Sequence, residues 1–397
     1  MTTFPLSELT SGMVSQATMS LTTTYSPGAT PPIQGAPALP TAFVFNSADW
    51  PAQDKVPDTS SDEVQQWLKE LDGFDIPDWD PTVDGTCASD PTSSGEAKDR
   101  GWWTCGGYTR ETDIVACPDP LTWGVSFDDG PGPYTQCLLD YLNTENLLAT
   151  FFVVGSRVIE RPSVLIEEYM TGNEISVHTW SHPHLTSLTT EEIVAELGWT
   201  RKAIQTVLGV TPTTMRPPYG DIDDRVRAIS LAMGMVPIIW TRTDEAGQFD
   251  TNDWKVAGGL VTGPDSFATF EAILGNASTM DTGFIVLEHD LYAVTVDLAI
   301  GYTLSAALTH DPAFTIKPIG NCSKIPATNM YAETNTNTSF PYSNSTSSAA
   351  SVSSNSGNSS SSSNSTSGAL PAVLGGASGV VGLAVGVVVA GMHAMFV

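Results

Sequence analysis

Between about residues 118 and 308, short apolar or β-branched runs alternate with longer helical segments, and this alternation restricts the fold more than any other feature. The predicted strands are Thr122–Phe127, Ala149–Val153, Glu174–Val177, Thr213–Arg216, Val236–Trp240 and Phe284–Glu288. The predicted helices are Asp62–Leu71, Thr135–Asn146, Pro162–Thr171, Thr190–Leu208, Asp223–Met233, Ser266–Leu274 and Val294–Leu308. This order is typical of a parallel sheet with helices outside it, either a barrel or a doubly wound sheet. Residues that carry chemistry are then expected at the carboxyl ends of the strands.

Composition divides the chain into five segments. Residues 1–60 are rich in Thr, Ser, Pro and Ala and are predicted to be mostly extended or disordered. Residues 61–117 are predicted to be an N-terminal extension with cysteine-containing loops, and 118–325 to be the main domain. Residues 326–368 are predicted to be a Ser/Thr/Asn-rich linker, and 369–397 form a largely apolar end.

Charge and cysteine usage narrow the functional classes. The net charge is −28, from 16 basic and 44 acidic residues, which argues against nucleic acid as a partner. It is typical of an acidic extracellular protein, and it would also attract a polymer that carries amines. Five cysteines, an odd number, predict two disulfides and one remaining thiol in a secreted chain.

The C-terminal end has two interpretations. No Lys or Arg follows Lys324, and the chain ends in the apolar run Gly379–Val397. That run is long enough for a transmembrane anchor, but such anchors usually have flanking basic residues. Small residues at 364–368, a spacer and an apolar tail match a glycosylphosphatidylinositol (GPI) signal, which we predict with Ser367 as the attachment residue.

Secretion is also indicated by glycosylation sequons. They lie at Asn276, Asn321, Asn337, Asn344, Asn358 and Asn364. No apolar signal-peptide segment follows Met1, so we interpret this start as a processed form or a truncated gene model. We therefore expect a secreted protein held at the cell surface.

Two clusters suggest a metal site. Asp128 and Asp129 end the first predicted strand, where adjacent carboxylates repel each other unless a cation lies near; an ordinary Asp-Gly-Pro turn is the alternative. His178 and His182 follow the third predicted strand four residues apart, which would place both on one face of a single turn. Imidazoles with a carboxylate form a common zinc set, although the histidines can also cluster by chance on a loop.

Further candidates follow other strands. Arg216 can orient a carboxylate, and the prolines after it fix the backbone. His289 follows an apolar strand and is a candidate general acid or base. Trp102 and Trp103 can stack on sugar rings, but such a pair more often packs a loop onto the protein body.

In this order the sequence resembles the polysaccharide deacetylases of carbohydrate esterase family four, also called the NodB-homology domain, over roughly residues 118–320. The five motifs that carry the resemblance are Ser126–Pro131, His178–Pro183, Arg216–Tyr219, Asp250–Trp254 and Leu287–Asp290. With the Ser-rich stalk and GPI-type tail, the chain is similar to the cell-wall-anchored fungal chitin deacetylases. The resemblance implies a distorted (β/α) barrel of about seven strands.

The resemblance also implies a metal centre. Asp129, His178 and His182 would hold one divalent ion, expected to be Zn²⁺ with Co²⁺ as the alternative. Asp128 would be the general base that takes a proton from water, and Arg216 would orient Asp128.

Other roles follow from the same resemblance. His289 would protonate the leaving amine, and Asp253 would tune His289. The N–H of Tyr219 would help to hold the oxyanion, Leu287 would line the acetyl pocket, and Trp254 would form a wall of the substrate site.

The cysteine pairing implied by the resemblance joins Cys117 to Cys322 at the ends of the domain. Cys87 and Cys105 would then form the second disulfide, with Cys137 as the free thiol.

The expected reaction removes N-acetyl groups from N-acetylglucosamine residues of chitin, giving chitosan and acetate. Alternatives are the same reaction on chitooligosaccharides, partly deacetylated chitosan or acetylxylan, or a catalytically silent carbohydrate-binding mannoprotein. Expected partners are the glycan, the GPI lipid of the plasma membrane and the cell wall, with no nucleic acid. We expect a monomer.

Overall fold

Seven strands form a curved parallel sheet in the computed structural model, which describes residues 4–12, 18, 20–21 and 23–340. The strands in chain order are β1 Thr122–Asp128, β2 Thr150–Val153, β3 Glu174–Val177, β4 Thr214–Met215, β5 Val236–Pro237, β6 Arg242–Thr243, β7 Gly247–Gln248, β8 Phe284–Ile285 and β9 Thr315–Pro318. The sheet order is β5-β4-β3-β2-β1-β8, with β9 also paired to β1, while β6 and β7 form a separate antiparallel hairpin. The predicted seven-stranded (β/α) architecture is therefore confirmed.

Strand β1 pairs with β2, β8 and β9 and is buried along its whole length. Its apolar side chains Trp123, Val125 and Phe127 are fully buried in the core. Gly124 interrupts them because a Cβ there would lie 2.9 Å from Cys117 Sγ and 3.0 Å from Cys322 Sγ. The strand thus packs directly against a disulfide and still delivers Asp128 to its carboxyl end.

Helices pack around the sheet. They are α1 Asp62–Trp67, α2 Pro91–Gly95, α3 Ala97–Arg100, α4 Thr135–Glu145, α5 Gly155–Glu160, α6 Pro162–Met170, α7 Thr190–Leu208, α8 Asp224–Ala232, α9 Asp253–Ala257, α10 Gly263–Ala277, α11 Ala293–Leu298, α12 Leu304–Leu308 and α13 Ile319–Cys322. The longest, α7, begins at a capping box formed by Thr189 and Glu192 and ends at Gly209 in the left-handed conformation. These local signals explain why its bounds match the prediction.

The structure corrects several predicted bounds. The predicted strand Phe284–Glu288 ends at Ile285, because Leu287 and His289 make only isolated bridges with Asp250 and Asp128. The predicted helix Val294–Leu308 is divided by a π-helical turn at Ala299–Thr303. The sequence prediction also missed β9, whose alternation of Thr, Ile, Lys and Pro gives no long apolar run.

The described residues of the N-terminal segment include a short 3₁₀ helix at Leu6–Glu8, and some of them pack on the main domain. Leu9 is fully buried against Val256 and Leu298, and Tyr302 donates a hydrogen bond to the Phe4 carbonyl at 2.6 Å. This part of the segment is therefore built into the fold.

The structure contains both disulfides implied by the resemblance, Cys87–Cys105 and Cys117–Cys322, and Cys137 is a buried free cysteine. Among the described residues, no helix has both the length and the apolar character to cross a membrane. The predicted sequons at Asn344, Asn358 and Asn364 and the predicted attachment residue Ser367 lie outside the described residues.

Candidate metal centre and active site

The predicted catalytic and metal-binding residues converge at the carboxyl ends of strands in one parallel sheet. Asp128 is the last residue of β1, His178 follows β3 directly, and Arg216 follows β4. His289 forms an isolated parallel bridge with Asp128, which brings the fifth motif to the same edge. The parallel topology therefore assembles residues that are up to 161 positions apart in the sequence into one site.

Asp129, His178 and His182 form the candidate metal centre. Asp129 Oδ1 lies 3.5 Å from His178 Nε2 and 3.1 Å from His182 Nε2, and one potential ligand atom from each residue lies within 4.8 Å of the others. The sequence predicted that the two histidines share one face of a single turn, and this was wrong. They lie in a loop with left-handed backbone at Thr179 and His182. That loop conformation, rather than helical spacing, directs both rings at Asp129.

The donor set fits a divalent cation. Asp129 Oδ1 is buried and receives no hydrogen bond within the described residues. His178 Nδ1 lies 2.8 Å from the Arg216 carbonyl, so this nitrogen donates and Nε2 carries the free lone pair. Two imidazoles and a carboxylate suit a catalytic metal, which takes three protein ligands and keeps a further position open.

Protonation states support the same arrangement. Burial raises the pKa of Asp129, but His182 and His178 outweigh burial and hold that pKa well below its usual range. Burial lowers the pKa of His182, which favours the neutral ring that can bind a cation. The centre is thus an ionised carboxylate with imidazole nitrogens.

Asp128 lies beside this centre and is oriented by Arg216. Arg216 Nη1 donates to Asp128 Oδ1 at 2.6 Å and to Ser126 Oγ at 2.9 Å. Asp128 Oδ2 lies 3.9 Å from His178 Nε2. The carboxylate is held next to the candidate ligands without being one of the three, as a base requires.

His289 and Asp253 form the second pair. Asp253 accepts from the His289 N–H at 2.8 Å, and its other oxygen lies 2.7 Å from His289 Nδ1. Burial lowers the pKa of His289, but the charge and hydrogen bond of Asp253, with Asp129 and Asp128, outweigh it and raise the pKa to about 10. The ring is therefore held in its cationic form and can act as an acid.

The remaining predicted site residues differ in their surroundings and exposure. The Tyr219 ring centroid lies 4.7 Å from that of His182, and Tyr219 has left-handed backbone with φ 60°. Leu287, the first residue of the fifth motif, is buried, and its carbonyl accepts from the N–H of Thr251 in the fourth motif. Trp254 is 42% exposed, so its ring is available to a ligand. Trp102 and Trp103 are instead fully buried and pack a loop onto the protein body.

Comparison with known proteins agrees with this geometry. The family model described as "Polysaccharide deacetylase" matches residues 116–238. Chitin deacetylase 1 of Cryptococcus neoformans var. grubii is 52% identical over 336 residues, which are 84% of this chain and 70% of that protein. The chain belongs to the polysaccharide deacetylase family. The predicted enzyme class, a hydrolase of acetylated polysaccharide, is thereby confirmed.

Two further deacetylases share less sequence identity with this chain. The chitin deacetylase of Amylomyces rouxii is 34% identical over 276 residues, 65% of this chain and 63% of that protein. The structure of the chitin deacetylase from the fungal pathogen Colletotrichum lindemuthianum superposes with a TM-score of 0.50 and 25% identity, covering 57% of this chain and 97% of that one. The likeness confirms the distorted barrel fold.

Three residues of this polysaccharide deacetylase site were not found by sequence reasoning. Arg157 Nη1 donates to the Asp129 carbonyl at 2.7 Å, where the backbone is left-handed. Glu196 accepts from the Trp180 and Ser181 N–H groups and so holds the histidine loop. His184 stacks on Tyr219. Of the three, only Glu196 could have been found from the sequence, as an acidic residue on the buried face of an amphipathic helix. Arg157 and His184 act through tertiary contacts, which no local pattern indicates.

Proposed function

We propose that this protein hydrolyses the N-acetyl groups of N-acetylglucosamine residues in chitin, releasing acetate and leaving glucosamine units in the polymer. The observation that carries the proposal is the Asp129–His178–His182 cluster with Asp128 and His289 on the same strand edge. The relatives that share most of the chain are named as chitin deacetylases, which supports chitin as the substrate.

A divalent cation at Asp129, His178 and His182, proposed to be Zn²⁺, would polarise the acetamide carbonyl and lower the pKa of the attacking water. Asp128 takes a proton from that water as its oxygen bonds to the carbonyl carbon. Arg216 keeps the accepting carboxylate in place through its 2.6 Å contact with Oδ1. Both residues are fully buried, so bulk water does not compete for the carboxylate.

Collapse of the tetrahedral species breaks the carbon–nitrogen bond and needs a proton on the leaving nitrogen. His289 supplies this proton from its ring, because Asp253 occupies Nδ1 and leaves Nε2 free to face the site. The Tyr219 N–H is proposed to stabilise the oxyanion, and the buried apolar side chain of Leu287 is proposed to contact the acetyl methyl group.

An acetate-release assay tests the proposal. The full chain is dialysed against chelator, reloaded with Zn²⁺ or Co²⁺, and incubated with chitin oligomers, chitin and acetylxylan. We expect acetate from chitin and its oligomers only after metal is restored, and at least about 1000-fold less from Asp128→Asn, by analogy with other acid–base residues. Acetate release from acetylxylan alone would show that acetylxylan, and not chitin, is the substrate. No release from any of these glycans with metal bound would refute the proposed enzymatic activity.

We also propose that the protein is anchored at the cell surface by GPI. The Ser- and Asn-rich segment 334–368 and the apolar end Gly379–Val397 support this proposal. A GPI-specific phospholipase should release the protein from intact cells, and retention would instead favour a membrane-spanning tail.

A further inference from the structure

We propose that the N-terminal extension is part of the active site, because its turn at Gly85 clamps His184 against Tyr219 and so positions Tyr219 for catalysis. This inference rests on the proposed function, in which Tyr219 faces the reacting amide. His184 is a positioning residue in this scheme and makes no contact with substrate. The extension lies before residue 116, where the match to the family model begins.

The first contact is the stack between His184 and Tyr219. The two rings are nearly parallel, at 12°, and their centroids lie only 4.0 Å apart. Tyr219 also meets the ring of the candidate ligand His182 in a T-shaped contact, with 4.7 Å between the ring centroids. Tyr219 therefore contacts both a candidate metal-ligand ring and a second ring that the sequence motifs did not assign.

The stack matters because the Tyr219 backbone is strained. Its φ of 60° lies in the left-handed region, which costs a residue with a Cβ free energy unless its surroundings hold it there. With its side chain 52% exposed, Tyr219 receives little support from the core. The ring of His184 supplies the packing that fixes this conformation.

Gly85 lies directly against His184. A Cβ on Gly85 would lie 2.5 Å from His184 Cβ, Cγ and Nδ1, so the extension approaches the imidazole as closely as a glycine allows. Gly85 has φ +77°, and its N–H donates to Thr82 Oγ1 at 3.0 Å. The His184 ring is thus held between Gly85 and Tyr219.

Two further contacts tie the extension to the same loops. Thr82 N–H donates to the Thr186 carbonyl at 2.9 Å, two residues beyond His184. Asp221, two residues beyond Tyr219, accepts from Trp102 Nε1 at 2.7 Å and from Thr104 Oγ1 at 2.8 Å. The extension therefore holds both partners of the stack, while the Cys87–Cys105 disulfide closes it on itself.

The test compares variants that remove or keep the stacking ring. His184→Ala removes it, and His184→Phe keeps a ring. His310→Ala is the matched control because His310, like His184, is half-buried and packs on an aromatic ring, that of Phe314, at 4.7 Å. Gly85→Ala places a Cβ against His184. Its control, Gly73→Ala, has a similar positive φ of +88° and nothing within 4 Å of the added Cβ, so it carries the strain without the clash.

We expect His184→Ala and Gly85→Ala to lower kcat on chitin oligomers by about 10- to 100-fold, since a misplaced catalytic group costs rate, with KM within about threefold. Zn²⁺ stoichiometry should remain one per chain, which separates misplacement of Tyr219 from loss of folded enzyme. Amide exchange of the segment 216–222 should be faster in both variants. His184→Phe should recover most of kcat, and the two controls should match the wild type.

The inference would be overturned if His184→Ala kept the wild-type kcat and the wild-type amide exchange of the segment 216–222. It would also be overturned if His184→Phe lost as much kcat as His184→Ala. If His184→Ala does not fold, Gly85→Ala and its control decide the question by the same measurements. A wild-type enzyme that releases no acetate would instead refute the proposed function, and exchange of the segment 216–222 would still judge the clamp.

Discussion

Arg216 and Asp128 form an ion pair in the core, with 2.6 Å between Nη1 and Oδ1 and at most 2% of either side chain exposed. The guanidinium also lies over the Phe152 ring, with Cζ 3.9 Å from the centroid. The pair joins the ends of β1 and β4, which have β2 and β3 between them in the sheet, so the proposed general base is held by a contact across the sheet and not by its own loop.

Replacing Arg216 should therefore affect stability and rate together. Arg216→Ala leaves Asp128 buried without its cation, and we expect a loss of about 3–5 kcal/mol in the free energy of unfolding and at least about 100-fold in kcat. Urea unfolding and acetate release measure the two effects. Lys324→Ala, which removes a pair with Asp119 that is more than half exposed, should change neither. Wild-type unfolding of Arg216→Ala would contradict the prediction.

The pH profile should depend on Asp253. The pKa of His289 is raised to about 10, with Asp253 as the largest raising influence, so the acid stays protonated well above neutral pH. Asp253→Asn removes that charge, and the alkaline fall of kcat should move to lower pH. The exposed residue Asp281 provides the control Asp281→Asn, whose profile should match the wild type. If the alkaline fall of kcat stays at the same pH in Asp253→Asn, His289 is not the group that donates the proton.

Stability should also depend on Glu196. Burial raises the pKa of Glu196 from 4.5 to about 7, although hydrogen bonds from Ser181 and Trp180 lower it. Because the pKa of this carboxyl is higher in the folded state than in the unfolded state, its contribution to the free energy of unfolding is fully present below the unfolded pKa. This contribution is lost as pH rises through 7.

Glu196→Gln mimics the protonated form of the side chain. Between pH 4.5 and pH 7.5, the free energy of unfolding should fall by about 3 kcal/mol less in this variant than in the wild type. The comparison is made by urea unfolding at each pH, with Glu191→Gln on the exposed side of the same helix as the control. Parallel curves for Glu196→Gln and wild type would show that Glu196 keeps an ordinary pKa.

Trp50 should make the N-terminal segment necessary for stability. Its ring stacks on Trp180 with centroids 6.1 Å apart and 2° between planes, and Trp180 Nε1 donates to the Ala52 carbonyl at 3.0 Å. Trp50→Ala should lower the free energy of unfolding by about 2–4 kcal/mol. Phe45→Ala is the aromatic control, since Phe45 is 50% exposed. An effect of Trp50→Ala no larger than that of the control would show that the segment is dispensable.

The sequence predicted secondary structure best where local signals are strong. Helix α7 has a capping box and a terminal glycine, and its predicted bounds match the structure. Strand β9 was missed because its stability comes from pairing with β1, nearly 200 residues earlier in the chain. Strands β4, β5 and β8 have two residues each and are shorter than predicted. Beyond β5 and β8 the apolar runs make only isolated bridges, at Ile238 and Leu287.

The sequence by itself determined the chemical groups: the paired carboxylates Asp128 and Asp129, the histidines His178, His182 and His289, and their order after successive strands. These follow from short motifs and from the βα alternation, which are local properties of the chain. The tertiary structure alone decided the contacts that set their geometry, such as His184 between Gly85 and Tyr219. Such contacts join distant segments through close packing and burial, and no local pattern of the sequence encodes them.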